Sequence, residues 1–314
     1  MARKLSEKFE KDLLDGCLKE LLDYVKSDNS LDLEIREGYI NIYYRGGNIL
    51  MVKEKSGNKN CNYSFFFDKN YFRKETKLSF DHQKCLDDKD WFMFFPLAKR
   101  AMDFFFTWKK KEEREVQQLT VRDNNYSTVA AGTDYFVVDI EYSREGARFD
   151  VVAVEWISEG IKRRLLGAYK PKLVVFELKY GDGALSGSAG IEKHLADFST
   201  FLSDEEAVKE FKQEMLDAFS QKRRLGLIPP LSEGKNKNAV VEFADEIEFV
   251  FLLANHDPAS SKLRTAIGDC DSFFAKFIVS NFSGYGLYKH NLFSCEEFVK
   301  RFSNQIYDPS FFDA

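Results

Sequence analysis

Apolar and polar positions follow two rhythms along this chain, and the changes of rhythm outline its organisation. Over residues 6–27, Phe9, Leu13, Leu14, Cys17, Leu18, Leu21, Leu22 and Val25 recur at helical spacing, and Ser27-Asp28-Asn29-Ser30 ends the pattern. One amphipathic helix is expected there. The period then shortens to two. Leu31-Asp32-Leu33-Glu34-Ile35 and Tyr39-Ile40-Asn41-Ile42-Tyr43-Tyr44 alternate, and Asn48-Ile49-Leu50-Met51-Val52 follows the turn Arg45-Gly46-Gly47, which predicts a β-meander. Residues 56–90 read as polar and irregular. A long helix is expected from about Phe95 to Val121, with Pro96 in its first turn, where a missing N–H does no harm.

After Asn124-Asn125 the pattern returns to strands. Tyr135–Tyr142 and Arg148–Trp156 predict a hairpin around Ser143-Arg144-Glu145-Gly146, and Leu173–Tyr180 predicts a third strand. The glycine- and serine-rich stretch Gly181–Gly190 leads into expected helices at about 191–202 and 204–224, then a strand at Ile247–Ala254. Residues 271–314 look mixed and partly helical. The whole reads as an α/β protein with an N-terminal α+β extension, divided near residue 92 into 1–91 and 92–314.

Composition changes this picture little. Apolar residues make up 44% and charged residues 31%, as in ordinary globular chains. The 31 Phe cluster, as in Phe65-Phe66-Phe67, Phe94-Phe95 and Phe104-Phe105-Phe106, and such clusters are expected in cores. A net charge of −5 argues against a protein that coats nucleic acid without selectivity, although a local basic groove is compatible with it. Five widely spaced cysteines without a CxxC pair argue against a zinc site and suggest reduced thiols. No apolar signal core and no run of 18 apolar residues is present, so a cytoplasmic protein without a membrane partner is expected.

The candidate chemistry starts at Leu173-Val174-Val175-Phe176-Glu177-Leu178-Lys179. In a strand, Glu177 and Lys179 share one face of an otherwise apolar, buried segment. Buried charges need partners: each other, or a metal and a phosphate. On the predicted hairpin, a turn at Ser143–Gly146 sets Asp139 opposite Asp150, whereas a bulge or a shift of two brings Glu141 near Asp150 instead. Either way several carboxylates converge on the sheet that carries Glu177. Such oxygen donors suit Mg²⁺ or Mn²⁺, and Asp139 and Glu141 join Asp150 and Glu177 as candidate ligands.

Arg148-Phe149-Asp150-Val151-Val152-Ala153-Val154 followed by Val174-Val175-Phe176-Glu177-Leu178-Lys179 resembles the PD-(D/E)xK, or restriction-endonuclease-like, nuclease superfamily. Phe149 stands where the named motif has proline. The resemblance covers roughly half of the chain and implies a restriction-endonuclease-like core of central mixed sheet and flanking helices. It also implies metal-dependent hydrolysis of phosphodiester bonds, with DNA as partner. Asp150 and Glu177 then bind metal and Lys179 serves the nucleophile. Many members add an acidic residue from the first helix; Glu112, Glu113 and Glu115 are available, and Glu115 is preferred. Polar residues on the helix after the ExK strand correspond to Glu192, Lys193, His194 and Asp197, and Lys193 and His194 are expected to meet substrate. Lys162-Arg163-Arg164, between the two motif strands, is expected to line the phosphate path through Arg163 and Arg164. The alternative is a catalytically inactive module of the same fold that binds nucleic acid or protein. An oligomer is compatible with either reading.

Overall fold

The computed structural model describes residues 3–57, 61–72, 80–126, 133–144, 146–156, 170–187, 190–228, 240, 242–256, 261–268, 274–280 and 284–304. They form a mixed α/β protein with two sheets. The first helical stretch is two helices, α1 (Glu7–Leu14) and α2 (Lys19–Ser27), rather than one. Ser6 caps α1 by accepting from the Phe9 N–H. Gly16 makes the corner between them, where a Cβ would lie 2.6 Å from Asp12 Cα. The strands β1 (Leu31–Ile35), β2 (Tyr39–Tyr44) and β3 (Gly47–Glu54) form the expected antiparallel meander. The segment read as irregular supplies a fourth strand, β4 (Tyr63–Phe66), and a short helix, α3 (His82–Asp88).

The expected long helix is also two, α4 (Trp91–Trp108) and α5 (Glu112–Val121). Asp90 caps α4 by accepting from the Met93 N–H, so the helix begins earlier than expected and Pro96 falls inside it. Pro96 and Phe92 are both exposed, so the proline and the turn that it leaves one hydrogen bond short lie on the solvent side of the helix. Phe94, Phe95, Ala98, Met102 and Phe106 of α4 join one apolar cluster with α1, α2 and the meander, which carries that core past residue 92.

The second sheet contains β5 (Tyr135–Arg144), β6 (Ala147–Glu155), β7 (Leu173–Tyr180), β8 (Ile247–Ala254), β9 (Ala275–Val279) and β10 (Phe293–Ser294), in the order β10-β9-β8-β7-β6-β5. β7 is central, antiparallel to β6 and parallel to β8. One face packs on α6 (Ile191–Ser203), α7 (Glu205–Arg224), α8 (Ser261–Gly268) and α9 (Cys295–Asn304); α5 covers the other through Val116 and Val121. Phenylalanines fill the first interface, with Phe198 stacked on Phe249 at 4.4 Å and Phe149 edge-on to Phe201 and Phe211.

A buried ion network joins the two sheets. β1 is buried along its whole length, carboxylates included. Glu34 accepts from Lys222 of α7 at 2.7 Å, with both side chains at most 1% exposed. Arg36, just after β1, donates to Asp139 of β5 and to the Ile140 carbonyl at 2.8 Å, and Arg3 also donates to Asp139. The β2–β3 turn makes a second tie. Arg45 and Gly46 both have positive φ, as a two-residue hairpin turn requires. Gly46 lies so close to α5 that a Cβ would come within 2.6 Å of the Arg114 carbonyl carbon.

Cys17 and Cys61 form a disulfide, their Cα atoms 5.9 Å apart, which corrects the expectation of reduced thiols. The α1–α2 corner and the start of β4 meet only in the folded chain, so cysteine spacing could not reveal the pair. Disulfides persist in oxidising compartments, and this one lends no support to a cytoplasmic location. Among the described residues, no helix is long and apolar enough to cross a membrane.

Replacing Lys222 with Met should leave Glu34 buried with only the longer pairing to Arg36 at 3.7 Å and cost about 3 kcal/mol. Urea unfolding of K222M should show a lower midpoint at unchanged slope, and adding Glu34→Leu should recover most of the loss. An unchanged midpoint in K222M would contradict the structural role of this pair.

Candidate active site

The site forms where β6 and β7 part. Their ladder runs from Val154↔Leu173 to Val151↔Phe176 and stops. Beyond it the Leu178 N–H, which a continuing ladder would bond to backbone, donates instead to Asp150 Oδ2 at 2.8 Å. Asp150 therefore caps the opening while its carboxyl group faces Glu177. β5 is irregular at the same level. The hairpin closes with Arg144 opposite Ala147, a register that sets Asp139 opposite Val152; the register then shifts between Asp139 and Val137, and Glu141 adopts a positive φ of 54°. The strands open a cavity of about 580 Å³ lined by Glu113, Glu141, Arg148, Asp150, Glu177, Lys179 and His194, among others.

The alternation of β7 puts Glu177 and Lys179 on the α6 side of the sheet, as the sequence pattern predicts. Lys179 Nζ donates to Glu177 Oε1 at 2.9 Å, and His194 Nδ1 lies 3.0 Å from the same oxygen. Burial, with the Lys179 charge beside it, pushes the His194 imidazole down to about 4. At neutral pH its Nδ1 therefore carries the single ring proton toward Glu177, and Nε2 keeps a lone pair. Burial pushes Asp150 well above the usual carboxylate range, and the charges of Glu177 and Glu113 add to it. Glu177 is also raised, chiefly by burial, although Lys179 opposes the shift. The Asp150 and Glu177 carboxyl groups face each other, and each charge raises the cost of ionising its neighbour. Burial raises Glu113 as well.

Asp150, Glu177, Lys179 and His194 thus meet in one pocket. Other expected residues stand elsewhere. Asp139 does not join them: the hairpin register sets it opposite Val152 rather than Asp150, and its carboxylate lies in the buried network with Arg3 and Arg36. Glu141 does border the pocket, opposite Asp150, but its carboxylate pairs with Arg114 at 3.0 Å. Glu115 does not reach the pocket either. It pairs with Arg45 of the β2–β3 turn at 2.9 Å, and Glu113, on another face of α5, lines the pocket in its place. Lys193 pairs with Asp197 on the exposed side of α6. Arg163 and Arg164 lie outside the described residues. Arg148, two residues before Asp150, lines the pocket and was not singled out from sequence. A helical reading of α5 could have separated Glu113 from Glu115, because residues two apart on a helix face different ways.

Among the described residues, no group of three or more His, Cys, Asp or Glu side chains is gathered as a metal site. The donor set nevertheless fits a hard divalent cation. Asp150 and Glu177 are carboxylates pressed together in a pocket that raises both, the condition a cation between them would relieve. Mg²⁺ is commonly held by one or two carboxylates, its other positions going to water and phosphate.

A carboxyl group whose pKa is raised by folding adds stability fully below its unfolded value, about 4, and loses that contribution as pH rises through the raised value. Ionised Asp150 therefore costs stability at neutral pH. Asp150→Asn removes the charge and keeps an acceptor for the Leu178 N–H. In chelator at about pH 7.5, D150N should be more stable than wild type by about 0.5–2 kcal/mol, and the gap should narrow toward pH 4. Denaturant melts at the two pH values check this, and a wild type more stable than D150N at the higher pH would contradict it. Comparison with protein-family models, curated proteins and solved structures finds no match to this chain.

Proposed function

We propose that the chain is a metal-dependent phosphodiesterase that cuts nucleic acid, with DNA as its substrate, on a core like that of the PD-(D/E)xK nucleases. The observation that carries this reading is the meeting of Asp150, Glu177 and Lys179 in one pocket where β6 and β7 part. The order of elements supports it: α5, the meander β5-β6-β7, α6 and then β8 follow the core that the sequence resemblance implies.

Asp150 and Glu177 would hold the cation, with Glu113 the further carboxylate of the pocket. Mg²⁺ or Mn²⁺ bound there supplies a Lewis acid that lowers the pKa of water and neutralises phosphate charge. The chain's own residues do the rest. Lys179 brings a buried positive charge to the place where the phosphorane gains negative charge, and holds the attacking water or a phosphate oxygen by donation. His194 donates to Glu177 Oε1 and so fixes the orientation of that carboxylate. Exposed Arg148 lines the pocket and attracts the phosphodiester backbone toward it.

One rival reading has a specific observation behind it. Lys179 closes on Glu177, as a purely structural ion pair would, and this favours a binding module without activity. Cleavage separates the two. Wild type should nick plasmid and cut oligonucleotides in Mg²⁺ but not in chelator, while Glu177→Ala and Lys179→Ala should each lose about a hundredfold or more in rate. Equal rates in all three proteins reject the assignment. Mn²⁺ should also raise the Tm of wild type and not that of D150N, a linkage that needs no turnover. Within α5, Glu113→Gln should slow cleavage about tenfold or more, whereas Glu115→Gln should leave kcat unchanged. The reverse ranking, measured in the same assay, would return Glu115 to the site.

A further inference from the structure

The parallel strands β7 and β8 end level with each other, Tyr180 beside Ala254. Each then turns through a left-handed residue, Gly181 at φ 69° and Asn255 at φ 54°. Asparagine enters that region more readily than most L residues, and glycine does so without strain. The Gly181 N–H donates to the Ala254 carbonyl at 2.9 Å, which locks the two turns together. The paired turns bring His256 to β7. Its side chain is only 5% exposed, and both ring nitrogens are engaged. Nε2 lies 2.9 Å from the Lys179 carbonyl oxygen, and Nδ1 lies 3.1 Å from Asp182 Oδ1. Both partners are acceptors, so whichever ring nitrogen carries a proton has an oxygen to receive it.

The place of this contact gives it meaning. β7 loses its ladder to β6 beyond Phe176, and Lys179 lies in the stretch that follows. That stretch is held by Asp150 at Leu178, by β8 and by His256. Asp182 begins the short turn Asp182–Ala184, the first part of the glycine-rich stretch that leads to α6 and His194. One imidazole therefore ties the backbone of the pocket lysine to the loop that closes the pocket's flank, where Ala184 is itself a lining residue.

We propose that His256 is a positioning residue for Lys179, clamping that residue's backbone to Asp182 so that its ammonium group is held against Glu177. The kinetic part of the test rests on the phosphodiesterase reading; the clamp itself does not. A misplacement of about 1 Å at a reacting group can cost about a hundredfold in rate, so a clamp of this kind acts on kcat.

Two measurements on the full chain test it, with wild type, His256→Ala, His256→Gln and Asp182→Asn. The first is acetylation of lysines by acetic anhydride in chelator, read by mass spectrometry. Lys179 is 4% exposed in its side chain, and Lys222 is a buried lysine remote from the clamp. H256A should acetylate Lys179 about fivefold faster or more, with Lys222 unchanged, because only the end of β7 loosens. The glutamine side chain of H256Q can still donate to the Lys179 carbonyl, so its rate should fall between the two, and H256Q with D182N serves the comparison if H256A does not fold. Unchanged Lys179 labelling, or equal acceleration at Lys179 and Lys222, overturns the proposal. The second is oligonucleotide cleavage in Mg²⁺. H256A should lose about tenfold or more in kcat with KM within about twofold, and added imidazole should restore part of the rate. A wild-type kcat in H256A, or a change confined to KM, also overturns it. If wild type does not cleave at all, the phosphodiesterase reading falls, while the Lys179 labelling still decides for or against the clamp.

Discussion

The early end of the β6–β7 ladder shapes everything around the pocket. Antiparallel neighbours normally bond backbone to backbone, and a buried N–H without a partner is costly. At Leu178 that requirement is met by the Asp150 carboxylate instead of a β6 carbonyl. A single substitution of side chain for backbone separates two strands, leaves space for a cavity and holds an acidic group at its edge. Glu177 and Lys179 then face the opening because the period of β7 puts them on the α6 side, where His194 meets Glu177.

The N-terminal sheet is part of how that opening is held. Arg3 and Arg36 anchor on Asp139 of β5, next to the irregular stretch that carries Glu141. Lys222 anchors α7 on Glu34 of β1. The β2–β3 turn presses Gly46 against Arg114 and pairs Arg45 with Glu115, on a face of α5 away from the pocket that Glu113 lines. A buried ion network of this kind is a poor source of stability compared with apolar packing, because desolvation offsets most of its attraction. What it offers is geometry: Arg36 bridges Glu34 of the first sheet and Asp139 of the second, and so ties the two sheets together.

The pocket itself is held against its own electrostatics. Asp150, Glu177 and Glu113 are all raised by burial, and Lys179 opposes the shift at all three, with Arg114 adding to it at Glu113. Sites that bind or transform charged ligands commonly hold such tension, and the surrounding core must supply the difference. Here that core is rich in phenylalanine, with Phe149, Phe198, Phe201, Phe211 and Phe249 packed under the same strands that part at the pocket.

Much of the framework was legible in the order of residues. Alternation marked β1 and β2, apolar runs between polar turns marked β3, β5, β6, β7 and β8, and α6 and α7 were legible as helices after the glycine-rich stretch, because burial leaves its mark on the chain itself. The shared face of Glu177 and Lys179 followed from the period of a strand. Helix ends were less legible: the breaks at Gly16 and after Trp108 depend on caps and packing that a continuous apolar stripe does not show. The sequence pattern leaves the hairpin register open between Asp139 and Glu141, and the turn decides it: Arg144 pairs with Ala147, two positions away from the Tyr142–Ala147 pairing, which puts Glu141 across from Asp150. The role of His256 and the Cys17–Cys61 pair became visible only in the folded chain, because each acts on a residue distant in sequence, and the fold chose Glu113 over Glu115 among the acidic candidates of α5. Periodicity by itself determined which strand carries the acidic and basic pair; only tertiary structure decided which other charges stand beside it, because long-range contacts leave no period in the chain.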